Sequence, residues 1–167
     1  YGNDPDFQFY PDEALFEDAA RQGRHGLGTL HVKAAGNSNT DTNGERLNAS
    51  RFTIAVAASS NTGVITSYSS YGAHLLVAAP AGAVTTDLLS TSYGYNGLEN
   101  GDYTNLFSGT SAASPITAGL IALILEANPG LGWRDVETIL AYSAIGLPST
   151  YSGVRVANEN FNWKWNG

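Results

Sequence analysis

Apolar and polar positions change their spacing along this chain, and each change marks an element. Residues 11–23, "PDEALFEDAARQG", place apolar positions at helical intervals. Acids occupy the first turns and Arg21 the last, which suits the helix dipole, and Gly23 is a natural stop. Residues 29–36, "TLHVKAAG", predict a strand. Residues 51–59, "RFTIAVAAS", predict a second strand, apolar on both faces as in a covered sheet. Residues 73–81, "AHLLVAAPA", predict a third, closed by Pro80. A Gly-, Tyr- and Asn-rich stretch over 85–105 reads as loop with a hairpin. Residues 110–127 then form a helix with no charge before Glu126, ended by Pro129. Being apolar all round, it is expected to be buried in the core. "WRDVETILAYSA", residues 133–144, predicts one more helix. Strands alternating with helices make this an α/β chain with a mainly parallel sheet.

Composition narrows the function classes. With 43% hydrophobic and only 14% charged residues, against about 25% charged in an average domain, the 167-residue chain has long buried segments rather than disorder. A net charge of −7 and a pI near 4.7 argue against a nucleic-acid partner. Without cysteine there is neither a disulfide framework nor a thiolate metal site. No apolar run approaches the roughly 20 residues of a membrane span, so no membrane partner is expected. The abrupt ends, "YGNDPDF" and "NFNWKWNG", lead us to expect a piece of a longer protein.

Chemistry concentrates at two places. In "FSGTSAASPITAGL", Ser111 stands at the mouth of the long helix among Gly109, Ala112 and Ala113. Small neighbours let a substrate backbone approach. Free N–H groups and a partial positive charge at the helix start suit a developing oxyanion. Pro115 is placed where a first-turn amide has little or no intrahelical partner. A plain helix cap by Ser111 or Thr110 accounts for the same residues. In "HVKAAGNSNT", Asn37 follows the C-terminal end of a predicted strand, where open α/β sheets bind ligands. Its amide can donate to an oxyanion, although Gly-Asn-Ser is also ordinary turn chemistry.

Together these stretches resemble the subtilisin-like serine proteases. "GTSAASP" resembles that family's nucleophile motif and "AAGN" its oxyanion-hole segment. "FTIAVAASSNTGVITSYSSYGAHLLVAAPA" resembles the strand–loop–strand stretch between them. "GRHGLGTLHVKAAGN", "VTTDL", "LILEANPGLGWRDVETIL" and "FNWKWNG" look closest to the kexin-like branch. The resemblance implies a three-layer α/β sandwich, of which residues 1–167 are the C-terminal half of the catalytic domain. It implies Ser111 as nucleophile, with Asn37 and the Ser111 amide as oxyanion donors. Ala34, Ala35 and Gly36 correspond to the strand edge that lines the first specificity pocket and pairs with substrate. The implied function is a secreted or otherwise extracytoplasmic endopeptidase acting on polypeptides, with structural calcium and no organic cofactor.

The family's Asp and His lie upstream of the "AAGN" segment, outside this chain. His25, His31 and His74 do not sit in a stretch resembling the family's histidine motif, and all three read as structural or surface residues. The expected partners are thus the N-terminal half of the same domain and, beyond it, a prodomain or downstream domain. Alone, the chain is expected to be inactive and marginally stable, with an apolar edge and face uncovered. Asp4, Asp6, Asp41 and Glu45 are candidates to recognise a basic residue before the scissile bond, though each also reads as a solvated loop carboxylate. Asp41 is the candidate calcium ligand. Ser70 stands where kexin-like proteins usually carry an acidic calcium ligand, which weakens both the calcium and the basic-residue expectations. Tyr68 and Tyr71 read as packing residues. The competing reading is a catalytically incomplete domain of the same fold that only binds peptides.

Overall fold

The computed structural model describes residues 13–86 and 103–145. In chain order these form α1 (Glu13–Gln22), a 3-10 turn (Gly23–Gly26), β1 (Val32–Ala34), the one-turn α2 (Arg46–Ala49) and β2 (Ile54–Ser59). Then follow β3 (Leu75–Pro80), β4 (Gly82–Thr86), β5 (Tyr103–Ser108), α3 (Thr110–Ala127) and α4 (Trp133–Ser143). β1, β2 and β3 make a parallel sheet in that order, with Val32 opposite Ile54 and Val56 opposite Val77. β4 and β5 pair antiparallel, as the hairpin reading requires; the residues joining them lie outside the described ones. The "VTTDL" and "FNWKWNG" stretches likewise fall wholly or partly outside the described residues, as do Asp4 and Asp6.

All six residues of β2 are buried. Side chains alternate between the faces of a strand, so both faces of β2 are covered. That explains its uninterrupted "IAVAAS". α3 crosses β1, β2 and β3. Ala113, Thr117 and Ile121, four residues apart and therefore on one stripe, are buried on its inner side. Ala113 and Ile121 join Ile54, Val56, Ala79, Val136 and Leu140 in one core cluster.

Two expectations about α3 need correction. The helix is not buried all round: Ile116, Leu120 and Leu123 are 39%, 50% and 63% exposed. The three-stranded sheet reaches one side only, and the described residues leave the other apolar side open. Pro115 is also not in the first turn. With Thr110 as the first helical residue it lies in the second, where its missing N–H deprives the Ser111 carbonyl of its i→i−4 donor. The expectation that no apolar run approaches a membrane span also needs adjustment: by length and composition alone α3 would reach across a bilayer, but it is packed across three strands.

The turn after α1 explains "GRHGLG". Arg24 and His25 are left-handed, with φ of 50° and 59°. A Cβ on Gly28 (φ 88°) would come within 2.4 Å of both the Ala20 carbonyl and the Trp133 ring. Arg24 donates to the Pro129 and Leu131 carbonyls, at 3.0 and 3.1 Å, tying this turn to the loop before α4. At α4 the Asp135 carboxylate accepts from the Gly132 N–H at 2.8 Å, capping the helix.

Candidate active site

The site forms where the C-terminal end of β1 meets the start of α3. After β1, the Ala35 N–H still donates to the Val56 carbonyl at 3.0 Å, so the chain is held to the sheet up to this point. Gly36 then takes φ of 109°, which turns Asn37 out of the sheet to an exposed position. The Gly36 carbonyl accepts from the Ser70 N–H at 2.9 Å.

Thr110, fully buried, fastens this corner to α3. Its N–H donates to Asn37 Oδ1 at 2.9 Å, and its hydroxyl donates to the same oxygen at 2.9 Å. The hydroxyl oxygen accepts from the Gly36 N–H at 3.1 Å. A backbone N–H can only donate, so the amide's oxygen must face Thr110. Asn37 Nδ2 is left to donate elsewhere, which is the direction an oxyanion requires.

Gly109 completes the arrangement. Its φ is 87°, and a Cβ there would lie 3.1 Å from Asn37 Nδ2 and 3.2 Å from Oδ1. Glycine is therefore demanded by both conformation and space. Gly109 is also the residue before the helix, and no side chain caps it. The capping explanation of Ser111 and Thr110 thus falls away. Thr110 is spent on Asn37, and Ser111 sits exposed in the first turn. Its N–H is among the first four of the helix, which lack intrahelical acceptors.

Sequence reasoning singled out Ser111 and Asn37 and missed the clasp by which Thr110 holds Asn37. The signal was present: Gly-Thr immediately before the serine supplies the clearance and the double donor. Of the other candidates, Ala34 ends β1, while Ala35 is buried and its carbonyl accepts from Asn48 Nδ2 at 3.2 Å. β1 pairs only with β2 among the described residues, so its other edge is open there.

Glu45 is engaged internally. Its carboxylate pairs with Lys33 Nζ at 3.3 Å and accepts from Asn48 Nδ2 at 2.5 Å, while Lys33 also donates to Asn48 Oδ1 at 2.6 Å. Asp41 is exposed, and its Oδ1 accepts from the Asn43 N–H at 2.8 Å. Among the described residues no three His, Cys, Asp or Glu side chains come together as a metal site. Ser70 is buried, and its hydroxyl accepts a long bond of 3.4 Å from the Ser38 N–H.

None of the three histidines hydrogen-bonds Ser111. His25 is exposed in the left-handed turn. His31 packs edge-on against Phe16 at 4.7 Å, and burial lowers its pKa. His74 bonds Thr42 Oγ1 at 3.1 Å and Asn43 Oδ1 at 3.3 Å. Burial holds His74 below its ordinary pKa against the opposing pull of Asp41 and Glu45, with Lys33 adding to the lowering.

A profile described as the Subtilase family matches residues 4–163. The chain belongs to the subtilase family. This subtilase is 36% identical over 140 residues to a calcium-dependent protease of Trichormus variabilis, covering 75% of the chain and 21% of that protein. It is 35% identical over 132 residues to kexin of Saccharomyces cerevisiae, covering 79% of the chain and 16% of kexin. Its fold superposes on the crystal structure of the serine protease of Aeromonas sobria with a TM-score of 0.71 and 28% identity, over 80% of the chain and 29% of that structure. The chain thus spans about a fifth of the length of the curated relatives it matches. The parallel sheet with helices packed on it is a part of the α/β subtilase fold.

Proposed function

We propose that this chain supplies the nucleophile and the oxyanion-binding half of a serine endopeptidase active site. Ser111 attacks the scissile carbonyl. Asn37 Nδ2 and the Ser111 N–H stabilise the oxyanion of the tetrahedral intermediate. The observation that carries this reading is the double grip of Thr110 on Asn37 Oδ1, which points the amide's donor away from Thr110 beside the open start of α3. A serine hydroxyl needs a base, and the base a carboxylate to orient it. Both would come from the N-terminal half of the domain. The exposed stripe Ile116, Leu120 and Leu123 is an apolar face suited to packing against that half.

The substrate is a polypeptide running along Ala34, Ala35 and Gly36. A preference for a basic residue before the scissile bond draws support from the likeness to kexin. Asp41, exposed and outside the Lys33 network, is the described acid left to serve it. Calcium is named for the Trichormus relative, and a structural ion of that kind would steady the fold without entering the chemistry. The reading also places the protein outside the cytoplasm.

Labelling the intact parent with a fluorophosphonate and mapping the adduct tests the reading. An adduct on Ser111, absent after Ser111→Ala or after mild unfolding, is the expected outcome. The second reading is a peptide-binding domain of the same fold without turnover. It predicts an unlabelled parent that still retains peptides.

A further inference from the structure

A cavity lies away from Ser111. It has a volume of about 450 Å³ and is walled by Arg21, Arg51, Arg134, Phe52, Trp133 and the Gly26 turn. Phe52 precedes β2 and Trp133 opens α4, so the cavity sits at the N-terminal end of the parallel sheet. Asn37 and Ser111 stand at the C-terminal end. At about 3.3 Å per strand residue, the length of β2 separates the two by roughly 20 Å.

Its chemistry is unusual for this protein. The chain carries 15 acids and 8 Lys or Arg, and three of those cations border this one cavity. Arg21 is neutralised by Glu17 at 2.5 Å. Among the described residues Arg51 and Arg134 form no ion pair. Each instead lies against a ring: Arg134 is 4.7 Å from the Trp133 ring centroid and Arg51 is 5.5 Å from that of Phe52. Such stacking fixes a guanidinium while its N–H edge stays free for a carboxylate. Glu137 is the acid felt by both arginines; burial raises its pKa to about 7 despite them, so near neutrality it only partly offsets their charge. Asp135 is occupied by the Gly132 N–H.

Phe52 and Trp133 face each other at 5.7 Å, tilted by 52°. A site for a bare inorganic anion has no use for two rings. The volume also falls in the range of about 300–1,000 Å³ typical of sites for sizeable organic ligands. Two stacked guanidiniums beside two rings suit a chain segment that presents carboxylates and an apolar side chain together.

We propose that this cavity is an exosite for an acidic polypeptide segment with at least one apolar or aromatic side chain, distinct from the substrate cleft at Ser111. It holds a segment of a substrate or regulatory protein in place without taking part in bond cleavage.

The test uses the full chain and a dye-labelled peptide of alternating Glu and Phe, followed by fluorescence anisotropy. We expect saturable binding that weakens with added salt, and no binding of the matching Lys–Phe peptide. Because each guanidinium would lose a charge-assisted bond to the peptide, Arg51→Gln with Arg134→Gln should weaken binding at least tenfold. The thermal melt must match the parent chain, and Arg134→Lys, which keeps the charge, should retain part of the affinity. Equal binding by the double variant overturns the proposal. So does equal binding of an all-Glu peptide, or full displacement by millimolar phosphate, since either reduces the cavity to a small-anion site. Ser111→Ala leaves the result unchanged, so the exosite and the protease reading fail separately.

Discussion

Replacing Thr110 by valine keeps its shape and N–H but removes the hydroxyl that joins Gly36 to Asn37. Asn37 then retains one of its two anchors, and its amide gains freedom to turn. Thr110→Val in the intact enzyme should lower kcat about tenfold and leave KM nearly unchanged, because the lost order matters only when the oxyanion forms. Steady-state kinetics on a short peptide substrate check this split; a rise in KM at constant kcat would mean that Thr110 serves substrate binding instead. Asn37→Ala should be more severe. In subtilisin, of the same family, removing the side-chain oxyanion donor costs about 10²–10³ in kcat, and a loss of that order is expected here. Gly109→Ala joins both effects. It forces an alanine to φ of 87° and pushes a methyl against the Asn37 amide. A stability loss of about 1–2 kcal/mol should accompany a fall in kcat, measured by urea midpoint and turnover on the same sample.

At the scale of elements, α3 is read correctly as a helix and wrongly as a fully enclosed one. Its composition shows that every face wants an apolar neighbour. It cannot show that the described strands supply only one. Ile116, Leu120 and Leu123 give this a measurable consequence. Leu123→Lys should cost this chain alone less than about 0.5 kcal/mol, since the side chain is already 63% exposed. In the intact parent the same change would bury an unpaired charge against the N-terminal half and should cost about 3 kcal/mol or more. Urea midpoints of both forms decide it; equal costs would mean that this face stays open to water in the parent too. The strands were legible because β2 is apolar without alternation, a pattern that a covered parallel sheet demands. β1 was drawn too long, since residues 29–31, Ala35 and Gly36 of the expected strand lie outside Val32–Ala34. Ser111 and Asn37 were legible through local motifs. Thr110's clasp was not, because it joins residues 73 positions apart, and no periodicity reports such a contact. The arginine-lined cavity escaped for the same reason: Arg21, Arg51 and Arg134 come from three separated stretches that look individually like solvated surface.

At the scale of the whole molecule, Glu137 makes stability depend on pH. Its folded pKa is about 7, raised by burial against the pull of Arg134 and Arg51, while an unfolded chain returns it to about 4.5. Between those values the native state binds a proton that the unfolded state has released, so stability falls as pH rises through this window. Below about pH 4.5 the carboxyl is neutral in both states, and above about pH 7 the native state carries a poorly solvated charge. So large a displacement in a fully buried group would correspond to about 3 kcal/mol, at roughly 1.4 kcal/mol per pH unit. Glu137 is only half-buried, and solvent screening reduces the expectation to about 1 kcal/mol. Glu137→Gln should therefore stabilise the protein by about that amount at pH 8 and leave it unchanged at pH 4. His31 and His74 act in the opposite sense, because burial lowers both. The unfolded state takes up their protons first as pH drops below about 6.5, which erodes stability on the acid side. Comparing Glu137→Gln with the unsubstituted chain across the series removes the histidine contribution, which is common to both. A difference that opens steadily from pH 5 to pH 8 is the expected result; a difference independent of pH would assign the effect of Gln to packing and would leave the Glu137 carboxyl ionised throughout.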